Sequence, residues 1–210
     1  AGDRAVIGNI VYDALRRKLS LGWRMDSDAA RDIAFGVLLS DAELNVADIN
    51  AALEGDRFAP EPLDADRLAI WQSRALLSAP DYVRADVPEW CVAHFQAIFG
   101  GRWVEEAAAL SDRPPVDLRV NSLKADREKV LKELARTGAG PAPLLETAIR
   151  IPPLRAMGRH PNVQAEPAFQ RGLFEVQDLG SQIAAQLSDA KPGEQVLDYC
   201  AGAGGKTLAL

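Results

Sequence analysis

The chain has 210 residues, 48% hydrophobic and 26% charged, with a net charge of −6; that composition excludes a disordered chain, and two Cys (Cys91, Cys200) beside two His (His94, His160) give neither a disulfide framework nor a zinc spacing, so no metal is expected. No run nears the roughly 20 apolar residues of a membrane span and no secretion signal opens the chain, so a cytoplasmic protein with no membrane partner is expected. The charge is uneven: residues 1–112 carry 11 Lys+Arg against 19 Asp+Glu, and residues 113–210 carry 13 against 11, so a phosphate-bearing partner suits the second part.

Residues 4–112 read as an all-helical bundle. Over 4–19, Ile7, Ile10, Val11, Ala14 and Leu15 recur at three- and four-residue steps and predict one buried stripe. Residues 28–39 repeat the pattern through Ile33, Val37 and Leu38, Asp41 can cap a helix through Leu44, and 46–53 continue with Ile49, Ala52 and Leu53. A loop with Gly55, Pro60 and Pro62 leads to a helix over 64–77 carrying Leu68, Trp71 and Leu76. Pro88 fits position N1 of a helix through Phe99, with Trp90, His94 and Ile98 on its apolar stripe; Gly100-Gly101 ends it, and 103–110 form a last helix. Cys91 on that helix reads as a core residue, as free cysteines usually are.

The pattern changes at Arg113-Pro114-Pro115. Residues 116–120 alternate, with Leu118 and Val120 on one face and Asp117, Arg119 and Asn121 on the other, which predicts a strand. A helix over 126–137 turns Val130, Leu131 and Leu134 inward and stops at Gly138 and Gly140. Residues 141–168 form a proline-rich loop with room for a short strand at 148–151. A second short strand at 173–176 precedes a helix over 178–187 with Leu179, Ile183 and Leu187 inward. Asp178 is placed to cap that helix, and Gln177, Asp178 and Ser181 could alternatively brace the side of a bound cofactor. After the turn Lys191-Pro192-Gly193, residues 195–199 predict a short buried strand that runs into Cys200-Ala201-Gly202-Ala203-Gly204-Gly205-Lys206-Thr207 and a following helix.

A strand, a glycine loop and a helix start bring backbone amides close to a ligand. The loop ends like a phosphate-binding G-x-x-x-x-G-K-[ST] motif, but Cys200 stands where its first glycine belongs. A dinucleotide G-x-G-x-x-G fails because Thr207 stands where its last glycine belongs. A nucleoside cofactor needs neither spacing. Asp198 could orient the loop or accept a hydrogen bond.

Asp198-Tyr199-Cys200-Ala201-Gly202-Ala203-Gly204-Gly205-Lys206-Thr207 resembles the D-x-C-A-A-P-G-G-K-T cofactor motif of the Sun-type RNA cytosine-5 methyltransferases. Three further stretches resemble that family in the same order. They are Arg119-Val120-Asn121-Ser122-Leu123-Lys124 (R-x-N-x-L-K), Gly172-Leu173-Phe174-Glu175-Val176-Gln177-Asp178-Leu179-Gly180-Ser181 (G-x-F-x-V-Q-D/E-x-x-S) and Lys191-Pro192-Gly193-Glu194-Gln195-Val196-Leu197-Asp198 (K-P-G-E-x-V-L-D). The resemblance covers 113–210; over 1–112 it is to the helical NusB-like domain that some members carry. The family's alanine and proline are Gly202 and Ala203 here, which frees φ at 203.

The resemblance implies a multidomain α and α/β protein. A helical NusB-like domain spans 1–112, a small α/β RNA-binding subdomain 113–168, and the start of a Rossmann-like methyltransferase domain 169–210. It implies S-adenosylmethionine as cofactor, wrapped by Cys200, Ala201, Gly202, Ala203, Gly204, Gly205 and Lys206, with Lys206 reaching the methionine carboxylate or ribose. Arg119 and Asn121 would meet RNA, ribosomal or transfer, and the protein would act as a monomer. The attacking and releasing cysteines belong to family motifs, P-C-S-G and T-C-S, that 1–210 do not contain, so no catalytic residue is assigned here and these residues are expected to be part of a longer chain. The alternatives are a non-catalytic RNA-binding fragment and a P-loop nucleotide triphosphatase. On plain residue grounds, Lys206 can be a solvated lysine, and Arg16-Arg17-Lys18 and the spread Arg150, Arg155, Arg159 and Arg171 a wet surface.

Overall fold

The computed structural model describes residues 2–40, 44–154, 158 and 161–210. The chain divides into two compact units, Ala1–Arg113 with Leu154–Arg159, and Pro114–Pro153 with His160–Leu210. Asp41, Arg155, Arg159 and His160, singled out in the sequence, lie outside the described residues.

The first unit is helical. It runs α1 (Gly2–Arg16), α2 (Lys18–Met25), α3 (Ala30–Ser40), α4 (Val46–Leu53), α5 (Ala65–Ser73), α6 (Asp81–Arg84), α7 (Val92–Phe99) and α8 (Trp103–Ala109). Asn45 and Asp64 start α4 and α5 by accepting hydrogen bonds from the amides of Asp48 and Arg67 at 2.9 and 2.7 Å. One core gathers Leu21, Met25, Ile33, Phe35, Val37, Ile49, Leu63 and Trp71, and a smaller one Ala85, Val87, Trp103 and Ala107, with Cys91 packed against it. Gly36 lets α3 lie close on α2: a Cβ there would stand 3.2 Å from Leu21 Cδ2 and 3.3 Å from Met25 Cγ.

Three expectations for this unit are corrected. The helix over 4–19 breaks at Arg17, and Ile7, Val11 and Leu15 face solvent while Asp13 is buried. The cause is electrostatic: Arg113 grips Asp13 through Nε at 3.0 and 3.1 Å and through Nη2, and Arg16 adds a bond at 3.1 Å. A buried carboxylate needs such partners, so α1 turns Asp13 inward and packs through Ile10 and Ala14. Pro88, with ψ of 142°, is extended and precedes a 3-10 turn at Glu89–Cys91, so the α-helix begins only at Val92. Trp90, His94 and Ile98 are exposed, because Val92 and Phe95 supply the inward contacts.

The second unit is built on four strands, β1 (Val116–Val120), β2 (Gly140–Pro141), β3 (Ala148–Ile151) and β4 (Phe174–Val176), in the order β2-β3-β1-β4. All neighbours are antiparallel, with Asp117 opposite Arg150 and Val120 opposite Phe174. The helices are α9 (Arg127–Glu133), α10 (Pro167–Gln170) and α11 (Leu179–Leu187). Leu118, Val120, Val130, Leu134, Ile149, Ile151, Val163, Ala168, Leu173 and Phe174 form the core on one side of the sheet. Asp126 caps α9 and Asp178 caps α11, accepting from the amides of Lys129 at 2.8 Å and Ser181 at 3.2 Å. In α11, Leu179 is buried as expected but Leu187 is exposed, because Gln182 and Ala185 take the inward positions.

The strand expected at 195–199 does not form. Val196, Leu197 and Tyr199 are 51%, 84% and 89% exposed, and among the described residues no strand pairs with them. A buried apolar strand exists only between neighbours that satisfy its backbone and cover its faces. The helix expected after Thr207 is a single 3-10 turn, Thr207–Ala209.

Candidate functional site

The glycine-rich segment is a tight, mostly exposed loop. Gly202 and Gly204 take φ of +56° and +80°, a region that a side chain resists, and a Cβ at either would meet nothing within 4 Å. Gly204 N–H closes a turn onto the Ala201 carbonyl at 2.9 Å. Among the described residues, the amides of Gly202, Ala203, Gly205 and Lys206 have no hydrogen-bond acceptor. They form a set of donors on exposed residues, which fits a carboxylate or the polar edge of a nucleoside. Cys200 and Lys206 are exposed beside them.

The loop is fixed from two sides. Thr207 Oγ1 donates to Asp198 Oδ2 at 2.7 Å across the base of the turn, so Asp198 does orient the loop. From the sheet side, Gln177 Nε2 donates to the Gly205 carbonyl at 2.9 Å, and Arg119 Nη1 donates to the Leu208 carbonyl at 3.1 Å. Arg119 Nε also donates to Gln177 Oε1 at 2.7 Å. Burial lowers the pKa of Arg119, and the charge of Glu175 on β4 opposes that effect.

The polar face of β1 is therefore internal. Asp117 is buried and receives Arg150 Nε and Nη2 at 2.7 and 2.9 Å and the Leu179 amide at 3.0 Å. Burial pushes its carboxyl up, but the bonds from Arg150 and Leu179 together with the Arg150 charge outweigh that and set it below the ordinary carboxylate range. Arg119 serves the loop. Asn121 serves the turn after β1: its Nδ2 donates to the Gly172 carbonyl at 3.1 Å and its Oδ1 accepts from the Leu123 amide at 3.2 Å. That turn presents Ser122, Leu123 and Lys124 to solvent.

A cavity of about 310 Å³ between β1, α11 and the end of the loop is lined by Arg119, Ser122, Thr147, Gln182 and Asp189 among others; its volume is at the small end of ligand sites. Gln182 is buried, its Nε2 donating to the Gln177 carbonyl at 2.8 Å and its Oε1 lacking a protein partner among the described residues. Two of these features were missed in the sequence. The Asp117–Arg150 pair lies 33 residues apart and needs the β1–β3 register to be seen, and the link from Arg119 to Leu208 spans 89 residues.

Comparison with known proteins finds relatives over part of the chain. Residues 87–153 match the model described as "Methyltr_RsmF/B-like, ferredoxin-like domain". A "Ribosomal RNA small subunit methyltransferase B" of Photorhabdus laumondii is 37% identical over 125 residues, 59% of this chain and 28% of that protein. One of the same name from Yersinia pseudotuberculosis is 35% identical over the same shares. The match thus takes in well under two thirds of the curated relatives' length. A solved structure described as "Crystal Structure of PH0851" superposes with a TM-score of 0.60 at 21% identity, covering 97% of this chain and 51% of that one, which is a likeness of fold.

Proposed function

We propose, from the likeness of residues 87–153 to the RsmF/B-like methyltransferases and of this chain to proteins described as ribosomal RNA small subunit methyltransferase B, that the whole protein forms 5-methylcytosine in RNA, ribosomal or transfer, with S-adenosylmethionine as methyl donor. The observation that carries the reading is the loop at 200–206, where positive φ at Gly202 and Gly204 goes with a row of exposed amides that lack an acceptor among the described residues. Cys200 to Lys206 hold the cofactor, chiefly through those amides, and the Lys206 ammonium meets its carboxylate or ribose. When bound, S-adenosylmethionine supplies an electrophilic methyl group. The chain's own part is to place that methyl group: Asp198 sets the loop through Thr207, and Gly202 and Gly204 let the backbone come close. The attacking cysteines are supplied by chain beyond residue 210, a thiolate being nucleophilic enough to add to a pyrimidine and able to leave again.

In this reading residues 169–210 open a Rossmann-like domain, residues 113–168 serve RNA, and residues 1–112 are NusB-like. The protein works in the cytoplasm as a monomer. Arg119 and Asn121 act on RNA indirectly, Arg119 by bracing the loop and Asn121 by shaping the turn that offers Lys124. The test is calorimetry on the full-length protein with S-adenosylmethionine and, separately, with ATP and magnesium, followed by mass spectrometry of methylated RNA nucleosides. Binding of the sulfonium compound and appearance of 5-methylcytidine are expected. Uptake of ATP alone would move the assignment to a triphosphatase.

A further inference from the structure

We infer that Gln177 is a positioning residue for the cofactor loop, the point at which the antiparallel sheet sets the place of the Gly205 carbonyl. The inference rests on the loop being the cofactor site, as proposed above, and concerns what keeps it in shape. Gln177 stands directly after β4 and is buried. Its main chain is anchored twice: its N–H donates to the Asp117 carbonyl at 3.1 Å, and its carbonyl accepts from Gln182 Nε2 at 2.8 Å. The side chain therefore leaves a backbone fixed on both β1 and α11. Its amide then joins two groups of opposite kind. Oε1 accepts from Arg119 Nε at 2.7 Å and Nε2 donates to the Gly205 carbonyl at 2.9 Å. A guanidinium only donates and a carbonyl only accepts, so the amide has one orientation that satisfies both, and no other uncharged side chain of that length does the same.

The loop needs such a fastener. Its own bonds, Gly204 to Ala201 and Thr207 to Asp198, are internal to 198–207 and shape it without placing it. Placement comes from the Gln177–Gly205 bond and from Arg119 on Leu208, which lie on either side of Thr207. Fixing the Gly205 carbonyl fixes the peptide plane it shares with the Lys206 amide, one of the donors without an acceptor among the described residues. Order supplied before the cofactor arrives lowers the entropy lost when it binds.

The test compares full-length wild type with Gln177→Glu, which keeps the length and the acceptor toward Arg119 but sets a carboxylate against the Gly205 carbonyl. Hydrogen exchange, run without cofactor, is expected to speed about tenfold at the amides of 208–210, which bond back to Gly204 and Lys206 of the loop, the scale of one lost hydrogen bond, while α9 keeps its protection as a measure of intact folding. KM for S-adenosylmethionine is expected to rise about tenfold with kcat at saturating cofactor and KM for RNA little changed, a split that general destabilisation does not produce. Gln177→Met removes both bonds without adding charge and gives the same pattern should the glutamate disturb the sheet. Exchange and KM unaltered in both variants would overturn the inference and leave the cofactor reading standing. A wild type that takes up no S-adenosylmethionine would instead overturn the cofactor reading, and the cofactor-free exchange would still decide whether Gln177 places the loop.

Discussion

Asp117 and Asp86 are acids whose surroundings act in opposite directions. The folded state lowers the pKa of Asp117, so its contribution to stability is complete above its unfolded pKa and is lost as pH falls through the folded value. Asp117→Asn is expected to cost about 3 kcal/mol in denaturant unfolding at neutral pH, the scale for breaking a buried ion pair from one side, and to narrow toward zero in acid. Asp86 is raised, because burial outweighs the Ser20 bonds and the charge of Arg17. Folding with Asp86 ionised is thus less favourable, and stability falls as pH climbs from its unfolded to its folded pKa. Asp86 has φ of +51°, a region asparagine also accepts, and its Oδ1 takes the Ser20 amide at 2.8 Å. Asp86→Asn is expected to raise the melting temperature at pH 7 and to leave it unchanged near pH 3. The types of these residues were visible in the sequence. Their environments were not, since burial and partners are set by contacts far along the chain.

Elements with a local cause were legible. The spacing of Val130 and Leu134 announced α9, and Asp178 ahead of Leu179 and Ile183 announced α11; the Asp178 cap is in place, and Asp126 adds a cap that was not read. Asp126→Ala is expected to cost about 1 kcal/mol by denaturant unfolding, the usual worth of an N-cap. The alternation at 116–120 gave β1, and the apolar pairs at 148–151 gave β3, because period two reads directly from residue order. Elements that depend on a distant partner were misread. The α1 stripe lost to the Asp13–Arg113 pair, and 195–199 has strand composition without a strand to pair with. The glycine loop stood between these cases. Its backbone freedom followed from Gly202 and Gly204, but its placement by Gln177 and Arg119 required the sheet. Gly204→Ala, at φ of +80°, is expected to strain the loop by roughly 1–2 kcal/mol and to weaken S-adenosylmethionine binding in a titration, with helical circular dichroism unaltered.

At the scale of the molecule, composition separated an acidic helical part from a mildly basic α/β part, and along the chain the first boundary between the two compact units falls close to that division, after residue 113. The return of 154–159 to the first unit was not legible, because nothing in residue order marks Leu154 as an acceptor for Arg113 Nη1 at 2.9 Å. Of the 13 Lys+Arg in 113–210, Arg113, Arg119, Lys124, Arg127, Arg150, Arg171 and Lys191 are already bonded within the chain, so few cations remain for phosphate. RNA affinity of this stretch, titrated against salt, is expected to fall with a log–log slope of only about −2 to −4, matching three to five phosphate contacts on single strands at ~0.7 each. The sheet order has a separate consequence for the company this protein keeps. Both outermost strands are blunt. β2 is two residues long and contains Pro141, which has no N–H to offer, and β4 is three residues long with Glu175 at its middle. Neither rim offers a template on which a second copy could zip. Making Pro141→Val and Glu175→Val together should remove that protection and let solutions turn cloudy on warming, as followed by light scattering, before the cores themselves come apart.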